Sequence, residues 1–349
     1  MTTDAALEAL CLPFAKRQLA TVDAPTLFLR AREGAALYAI KPPQLVCVQP
    51  FKPAADGLQR AGLMTHAELP DSTGFAQVWL LPPRQREEAR SLIAAAFDAA
   101  LPGALVIVSV ANDEGAKALE GDFKKLVGRL DGGLTKFHCR VFWARCDEAR
   151  INQRLLADWR TADAPRTILD GRFRSRPGVF AWNRVDVGSA LLAAHLPGGV
   201  HGRAADLGAG WGFLANHLAE RSPELTAIDL YEADHRALQL AGENLRVHGE
   251  KIAIGLHWQD VAAGLPADAR YDIIISNPPF HDTGKAAQPQ IGQRFIAAAA
   301  AALAPAGRFW LVANAHLPYE QLLGECFADV RRVAAANGYK VIEARGPRR

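Results

Sequence analysis

The stretch Tyr271–Asp282, YDIIISNPPFHD, decides the reading of this chain. Three consecutive isoleucines suit a strand buried on both faces, as in a parallel sheet. The run ends at Asn277-Pro278-Pro279-Phe280. Proline has no N–H to extend a ladder, and each residue before a proline is held extended, so the turn is rigid before any ligand arrives. Its head carries the side-chain carbonyl of Asn277 and the free backbone carbonyl of Pro278. Two acceptors placed together can hold both hydrogens of an amine and turn its lone pair toward an electrophile. Phe280 can stack on a base. Such a turn suits a group transfer that depends on orientation, where positioning alone supplies roughly 7–11 kcal/mol. The competing structural reading is a plain, well-formed turn.

Around this stretch, strands and helices alternate from about Ala204 onward. RAADLG (203–208), LTAIDLY (225–231), IAIGLHWQD (252–260), YDIIISN and GRFWLVAN (307–314) read as strands with helical patterns between them. Alternation of this kind means a mostly parallel sheet covered on both faces. VRRVAA and YKVIEA, joined by Ala336-Asn337-Gly338, read as a closing antiparallel hairpin. Ligands of open parallel sheets bind at the carboxyl ends of the strands. Asp206, Asp229, Asp260 and Asn277 are therefore expected to converge on one crevice.

DLGAGWG (206–212) follows a strand and opens a helix, with Gly208, Gly210 and Gly212 allowing close backbone approach. Its spacing is not the Gly-x-Gly-x-x-Gly of pyrophosphate sites. An acid at the strand end suits a cationic ligand such as adenosylmethionine, which carries a sulfonium and an ammonium. Asp229, read as ending the next strand, offers two oxygens to two ribose hydroxyls; the competing reading is a helix N-cap. Asp260, after the third strand, borders the adenine or caps a turn.

The first half repeats the second. AQVWLLPPRQ (76–85) parallels YDIIISNPPFHD, and Ser91–Asn112 parallels Arg294–Asn314. The first copy lacks the glycine loop and has Leu81 where the second has Asn277. We read two tandem Rossmann-like α/β domains: residues 1–150 degenerate and serving to bind substrate or support the catalytic half, 151–180 a linker, and 181–349 catalytic. Arg172, Arg174, Arg176 and Arg184, set among Phe173, Phe180 and Trp182, suit RNA through phosphate pairing and base stacking; an ordinary solvated connector is the other reading.

The 349 residues suffice for two domains, and 50% hydrophobic with 22% charged residues is an ordinary soluble composition. A net charge of +3 permits a nucleic-acid partner without arguing for one. Five cysteines in no zinc spacing point to reduced thiols, a cytoplasmic protein and no metal. The N-terminus lacks a signal-peptide pattern, and no apolar run spans a bilayer.

DLGAGWG, AIDLYEAD and above all YDIIISNPPFHD resemble the class I adenosylmethionine-dependent methyltransferases that act on amino nitrogens, most of all the ribosomal RNA guanine-N2 methyltransferases of the RsmC and RlmG type. PGVFAWNRVDVGSALL, LVANAHLPYE and NGYKVIEA support the likeness, which covers Pro177 to about Ala344. It implies a seven-stranded, mostly parallel catalytic sheet and a degenerate first domain. It further implies S-adenosylmethionine as cofactor, with DLGAGWG on the methionine part, Asp229 on the ribose, Asp260 at the adenine edge, Asp186 in a segment covering the cofactor, and Asn277, Pro278, Pro279 and Phe280 on the target amine. The implied substrate is a guanine of ribosomal RNA or of a ribosomal subunit, 16S in the first place and 23S as the alternative. Methylation of a protein glutamine or of adenine N6 uses a similar turn. An RNA-binding assembly factor with a relict site is the non-enzymatic rival. The chain departs from the family at AWNRVD and in the bulk of Trp211 within the glycine loop.

Overall fold

The computed structural model describes residues 4–71, 74–279 and 289–348. Two compact units divide it: Met1–Pro165 with Arg176–Gly178, and Arg166–Ser175 with Val179–Arg349. The first holds helix α1 (Ala5–Ala15), β1 (Thr26–Leu29), α2 (Ala35–Ile40), β2 (Leu45–Val48), α3 (Lys52–Arg60), β3 (Met64–His66), β4 (Phe75–Leu80), α4 (Arg86–Ala99), β5 (Ala100–Ala111), α5 (Ala116–Val127), β6 (Gly132–Lys136), β7 (Cys139–Arg145) and α6 (Gln153–Arg160). The second opens with a hairpin of β8 (Arg166–Ile168) and β9 (Phe173–Ser175). It continues with α7 (Val187–His195), β10 (Gly202–Leu207), α8 (Phe213–Arg221), β11 (Leu225–Glu232), α9 (His235–Leu245), β12 (Ala253–Trp258), β13 (Tyr271–Ser276), α10 (Pro289–Ala302), β14 (Leu303–Asn314), α11 (Glu320–Cys326), β15 (Phe327–Ala336) and β16 (Tyr339–Pro347).

The two units share one topology. The first sheet runs β3-β2-β1-β4-β5-β7-β6 and the second β12-β11-β10-β13-β14-β16-β15. In each, six strands run the same way and one, β7 or β16, runs antiparallel to them as the inner strand of a closing hairpin. The switch point lies beside the first strand of each set, β1 and β10, where neighbouring connections leave in opposite directions and open a crevice. In the closing hairpin of the second unit, Asn337 and Gly338 take φ of 52° and 79°, the twist a two-residue turn needs. Phe137 and His138 hold the same conformation in the first unit at 53° and 57°.

Apolar side chains from both faces of the second sheet form its two cores. Ile273, Ile275, Ile228 and Leu230 pack toward α7, α8 and α9, and Ile274, Leu207 and Phe309 toward α10 and α11. This alternation explains why the YDIIIS run is apolar without interruption: both faces are covered.

The stretch 151–180, expected as a linker, is folded. Trp159 and Leu156 of α6 are buried in the core of the first unit. The β8–β9 hairpin belongs to the second, where Phe173 packs on Trp211 at 5.2 Å. All five cysteines are free. Among the described residues no helix is long and apolar enough to cross a membrane.

Candidate cofactor and amine site

The glycine loop of the second unit leaves β10 at Leu207. Gly208 and Gly210 have φ of 76° and 55°, a region open to glycine at no steric cost. Around a Cβ built at Gly210 nothing lies within 4 Å, so this edge of the loop faces open space. At Gly212 a Cβ would meet Leu245 at 2.8 Å and Ala241 at 3.1 Å, so the third glycine serves the contact between α8 and α9. Trp211 does not crowd the loop. Its indole is buried and packs with Phe173 and Phe213.

Asp206, one residue before the end of β10, is fully buried, and neither of its oxygens has a hydrogen bond. Burial and the nearby Glu232 carboxylate push its pKa up to about 8; the Ala215 N–H, outside hydrogen-bond geometry, offsets only part of this. A buried, unpartnered carboxylate is expensive unless a cation meets it. The ammonium of adenosylmethionine fits that need.

The acid at the end of β11 is Glu232, not Asp229. The strand runs three residues past Asp229, which pairs mid-strand with Ala205 and Gly255. Asp229 points to the other face. There it accepts from Tyr271 Oη at 2.7 Å, Arg203 at 3.0 Å and His257 Nε2 at 3.1 Å. Burial works to raise its pKa, but these donors outweigh it and hold the carboxyl below its ordinary value. Since Tyr271 donates to Asp229, the 2.8 Å contact between the two tyrosine hydroxyls is donated by Tyr231. Asp229 is thus the anchor of a polar cluster, with three donors already on its carboxylate. Glu232 sits where that role was expected. It accepts from Gly210 N at 2.7 Å and Asp234 N at 2.8 Å, one bond to each oxygen. A carboxylate has about four acceptor sites, so two remain for hydroxyls. Burial pushes its pKa up to about 7 against these backbone hydrogen bonds. A signal for Glu232 was present in the sequence. Asp234 caps α9 through Arg236 N, which leaves only two residues between the helix and the true strand end.

Asp260 caps the short turn after β12 by accepting from Ala262 N at 2.9 Å. Asp186 caps α7 by accepting from Ser189 N at 2.9 Å. Asn277 follows β13, whose Ser276 Oγ donates to the Leu207 carbonyl at 2.7 Å and ties the turn to the glycine loop. Asn277 Nδ2 donates to Asp186 and Ser189, and its Oδ1 is buried without a hydrogen bond. Pro278 is buried and Pro279 exposed; Phe280 lies outside the described residues. Phe180, Asp186, Ser189, Gly210, Leu214 and Asn277 line one pocket. Phe180 is 66% exposed at its mouth.

Three of the four arginines expected to meet RNA are held by acids far away in sequence. Arg172 pairs with Glu220 at 2.8 Å, Arg174 with Glu243 at 2.9 Å and Arg176 with Asp163 at 2.5 Å. Arg184 is exposed, and its guanidinium donates to its neighbour Asn183. Arg172 and Arg174 remain more than half exposed in these pairs, whereas Arg176 is largely covered. No group of three or more His, Cys, Asp or Glu among the described residues could hold a metal ion.

A seven-stranded sheet in this order, with a glycine loop, an orphaned acid and an Asn-Pro-Pro turn meeting at the switch point, defines a class I adenosylmethionine-dependent methyltransferase. The family model of the Methyltransferase small domain matches residues 170–343. Ribosomal RNA small subunit methyltransferase C of Shewanella halifaxensis is 32% identical over 277 residues, 78% of each chain. That of Shewanella piezotolerans is 30% identical over 323 residues, 91% of this chain and 89% of the relative. The chain belongs to the ribosomal RNA small subunit methyltransferase C family. A solved structure, the T. thermophilus 16S rRNA N2 G1207 methyltransferase (RsmC) in complex with AdoMet and guanosine, shares its fold. The TM-score is 0.80 at 24% identity, covering 99% of this chain and 92% of that one.

Proposed function

We propose that this protein transfers the methyl group of S-adenosylmethionine to the exocyclic N2 amine of a guanine in 16S ribosomal RNA, and that it works in the cytoplasm. The observation that carries the reading is the buried, unpartnered Oδ1 of Asn277, held at the head of a rigid turn and facing the pocket. The cofactor, when bound, supplies an electrophilic methyl group and leaves as a neutral thioether. The chain supplies position. Asp206 meets the ammonium, the glycine loop approaches the methionine part, Glu232 takes the ribose hydroxyls and Asp260 borders the adenine. Asn277 Oδ1 and the Pro278 carbonyl accept the two N2 hydrogens, which directs the nitrogen lone pair at the methyl carbon. The N2 proton is lost once the nitrogen has become cationic, so no strong base is required. Phe180 offers its exposed ring to the base from the pocket mouth. The first unit, which lacks the glycine loop, binds RNA or supports the catalytic unit.

The test is methyl transfer to unmethylated 16S RNA and small subunits, followed by digestion to nucleosides. We expect N2-methylguanosine. With Asn277→Ala, kcat falls by about 10²–10³, the size seen when one preorganised polar contact to a reacting group is removed. Cofactor affinity stays within a few-fold, as for a contact strengthened in the transition state. An active Asn277→Ala enzyme would refute the amine-holding role. Methylglutamine or N6-methyladenosine as product would discard the substrate.

A further inference from the structure

The Asn277 amide is locked one way round. Its Nδ2 lies 3.0 Å from Asp186 Oδ2 and 2.8 Å from Ser189 Oγ. A carboxylate can only accept, so Asp186 dictates which end of the amide faces it. Both Nδ2 hydrogens are thereby used, and Oδ1 is left buried with no hydrogen bond in the protein. A flipped amide would set Oδ1 against the Asp186 carboxylate and turn an N–H toward the incoming amine, donor against donor.

The turn that carries the lock is built for it. Asp186 is the N-cap of α7, and the oxygen that meets Asn277 also accepts Ser189 N at 2.9 Å. Ser189 therefore presents its hydroxyl from the first turn of the same helix. Between them, Gly188 leaves room: a Cβ there would come within 2.9 Å of the Tyr339 ring and 3.1 Å of Asp186 Oδ2. Asp186, Ser189 and Asn277 line the same pocket.

We infer that Asp186 and Ser189 are positioning residues for methyl transfer: they fix the rotamer of Asn277 so that its carbonyl faces the target amine. Asp186 then acts on the reaction through Asn277 rather than by touching the cofactor. This rests on the reading of Asn277 as amine acceptor.

The test uses the full chain, with kcat and KM for 16S RNA and Kd for S-adenosylmethionine measured on each variant. Asp186→Ser keeps a good N-cap, since serine caps as well as aspartate, but a hydroxyl both donates and accepts and so no longer dictates which end of Asn277 it faces. We expect kcat to fall at least tenfold, with KM and cofactor Kd within threefold. Asn277→Asp alone sets two carboxylates face to face and should be nearly inactive. The double variant, Asp186→Ser with Asn277→Asp, replaces the facing carboxylate by a hydroxyl that can donate, and should regain at least tenfold over Asn277→Asp. An unchanged kcat in Asp186→Ser, or a double variant no better than Asn277→Asp, overturns the positioning role. If Asn277→Ala is inactive in that case, the amine-holding reading survives alone. An active Asn277→Ala overturns both.

Discussion

The two units are the same fold with opposite treatment of the same four positions. β1 pairs Leu29 with Val48 and Leu80, and β10 pairs Leu207 with Tyr231 and Ser276. Matching those registers sets Phe28 against Asp206, Arg30 against Gly208, Gln49 against Glu232 and Leu81 against Asn277. The backbone is retained even where the chemistry is gone. Arg30 keeps the left-handed conformation of Gly208, with φ of 55°. Gln49 accepts from the N–H two residues on, at 3.0 Å, as Glu232 does at 2.8 Å. Where the second unit turns Glu232 toward the Gly210 N–H, Gln49 donates to the Ala31 carbonyl at 2.8 Å.

In the first unit the loop arginine turns inward and pairs with the buried Glu88 of α4, so the chain brings its own cation to the loop. No buried side-chain nitrogen or oxygen is left without a hydrogen bond among that unit's described residues, whereas in the second Asp206 and Asn277 leave three such atoms, and Ser175, Trp310 and Tyr319, away from the pocket, leave others. A fold under no demand to bind satisfies its polar groups internally. One that binds keeps them open, at a cost to its own stability that the ligand offsets.

The largest effect should come from removing that loop cation. Arg30→Met strips the guanidinium from a Glu88 carboxylate that is 2% exposed. It should destabilise the first unit by about 3–5 kcal/mol and leave cofactor affinity unchanged, as read by thermal melting and calorimetric titration. Acquired cofactor binding in the first unit would break the comparison.

Next comes the pair of acids on β11. Each hydrogen bond to a charged group contributes about 1.5–3 kcal/mol, so Glu232→Ala should weaken S-adenosylmethionine binding by about 10–100-fold or more. Asp229→Ala should change affinity only a few-fold while lowering the melting temperature, because it strands the Tyr271 hydroxyl. The reverse ranking would return the ribose role to Asp229.

The smallest effect concerns pH. The folded pKa of Asp206, about 8, lies above an unfolded carboxyl near 4. Between those values the folded state binds more protons than the unfolded state, so stability falls as pH rises through that window and is flat above it. Asp206→Asn should remove that slope and stabilise the cofactor-free protein at pH 9, with little change at pH 4. It should also lose cofactor affinity. Melting curves at the two pH values decide it.

Much of this was legible in the residues. Uninterrupted isoleucines, the two Pro-Pro turns and the Asn-Gly hairpin fix strand type and order because each has a local backbone cause. Asp206 and Asn277 were legible because they stand beside glycine and proline, which mark the strand ends. Glu232 was passed over because Leu230 and Tyr231 lie between it and the more obvious Asp229, and strand length is not a local property. The ion pairs of Arg172, Arg174 and Arg176 could not be read for a different reason: their partners Glu220, Glu243 and Asp163 are set apart from them in sequence. The amide lock was invisible for the same reason, since Asp186 and Asn277 are 91 residues apart.

Trp211 has a practical consequence for anyone dividing the gene. Its indole is buried by Phe173 and Val179, and Asn244 joins the hairpin to the loop by donating to the carbonyls of both Arg174 and Trp211. A fragment begun at residue 181, where the glycine-loop domain starts on paper, would discard Phe173 and Val179 and bare an aromatic ring directly beneath the cofactor loop. The shortest catalytic fragment worth expressing begins ahead of Arg166.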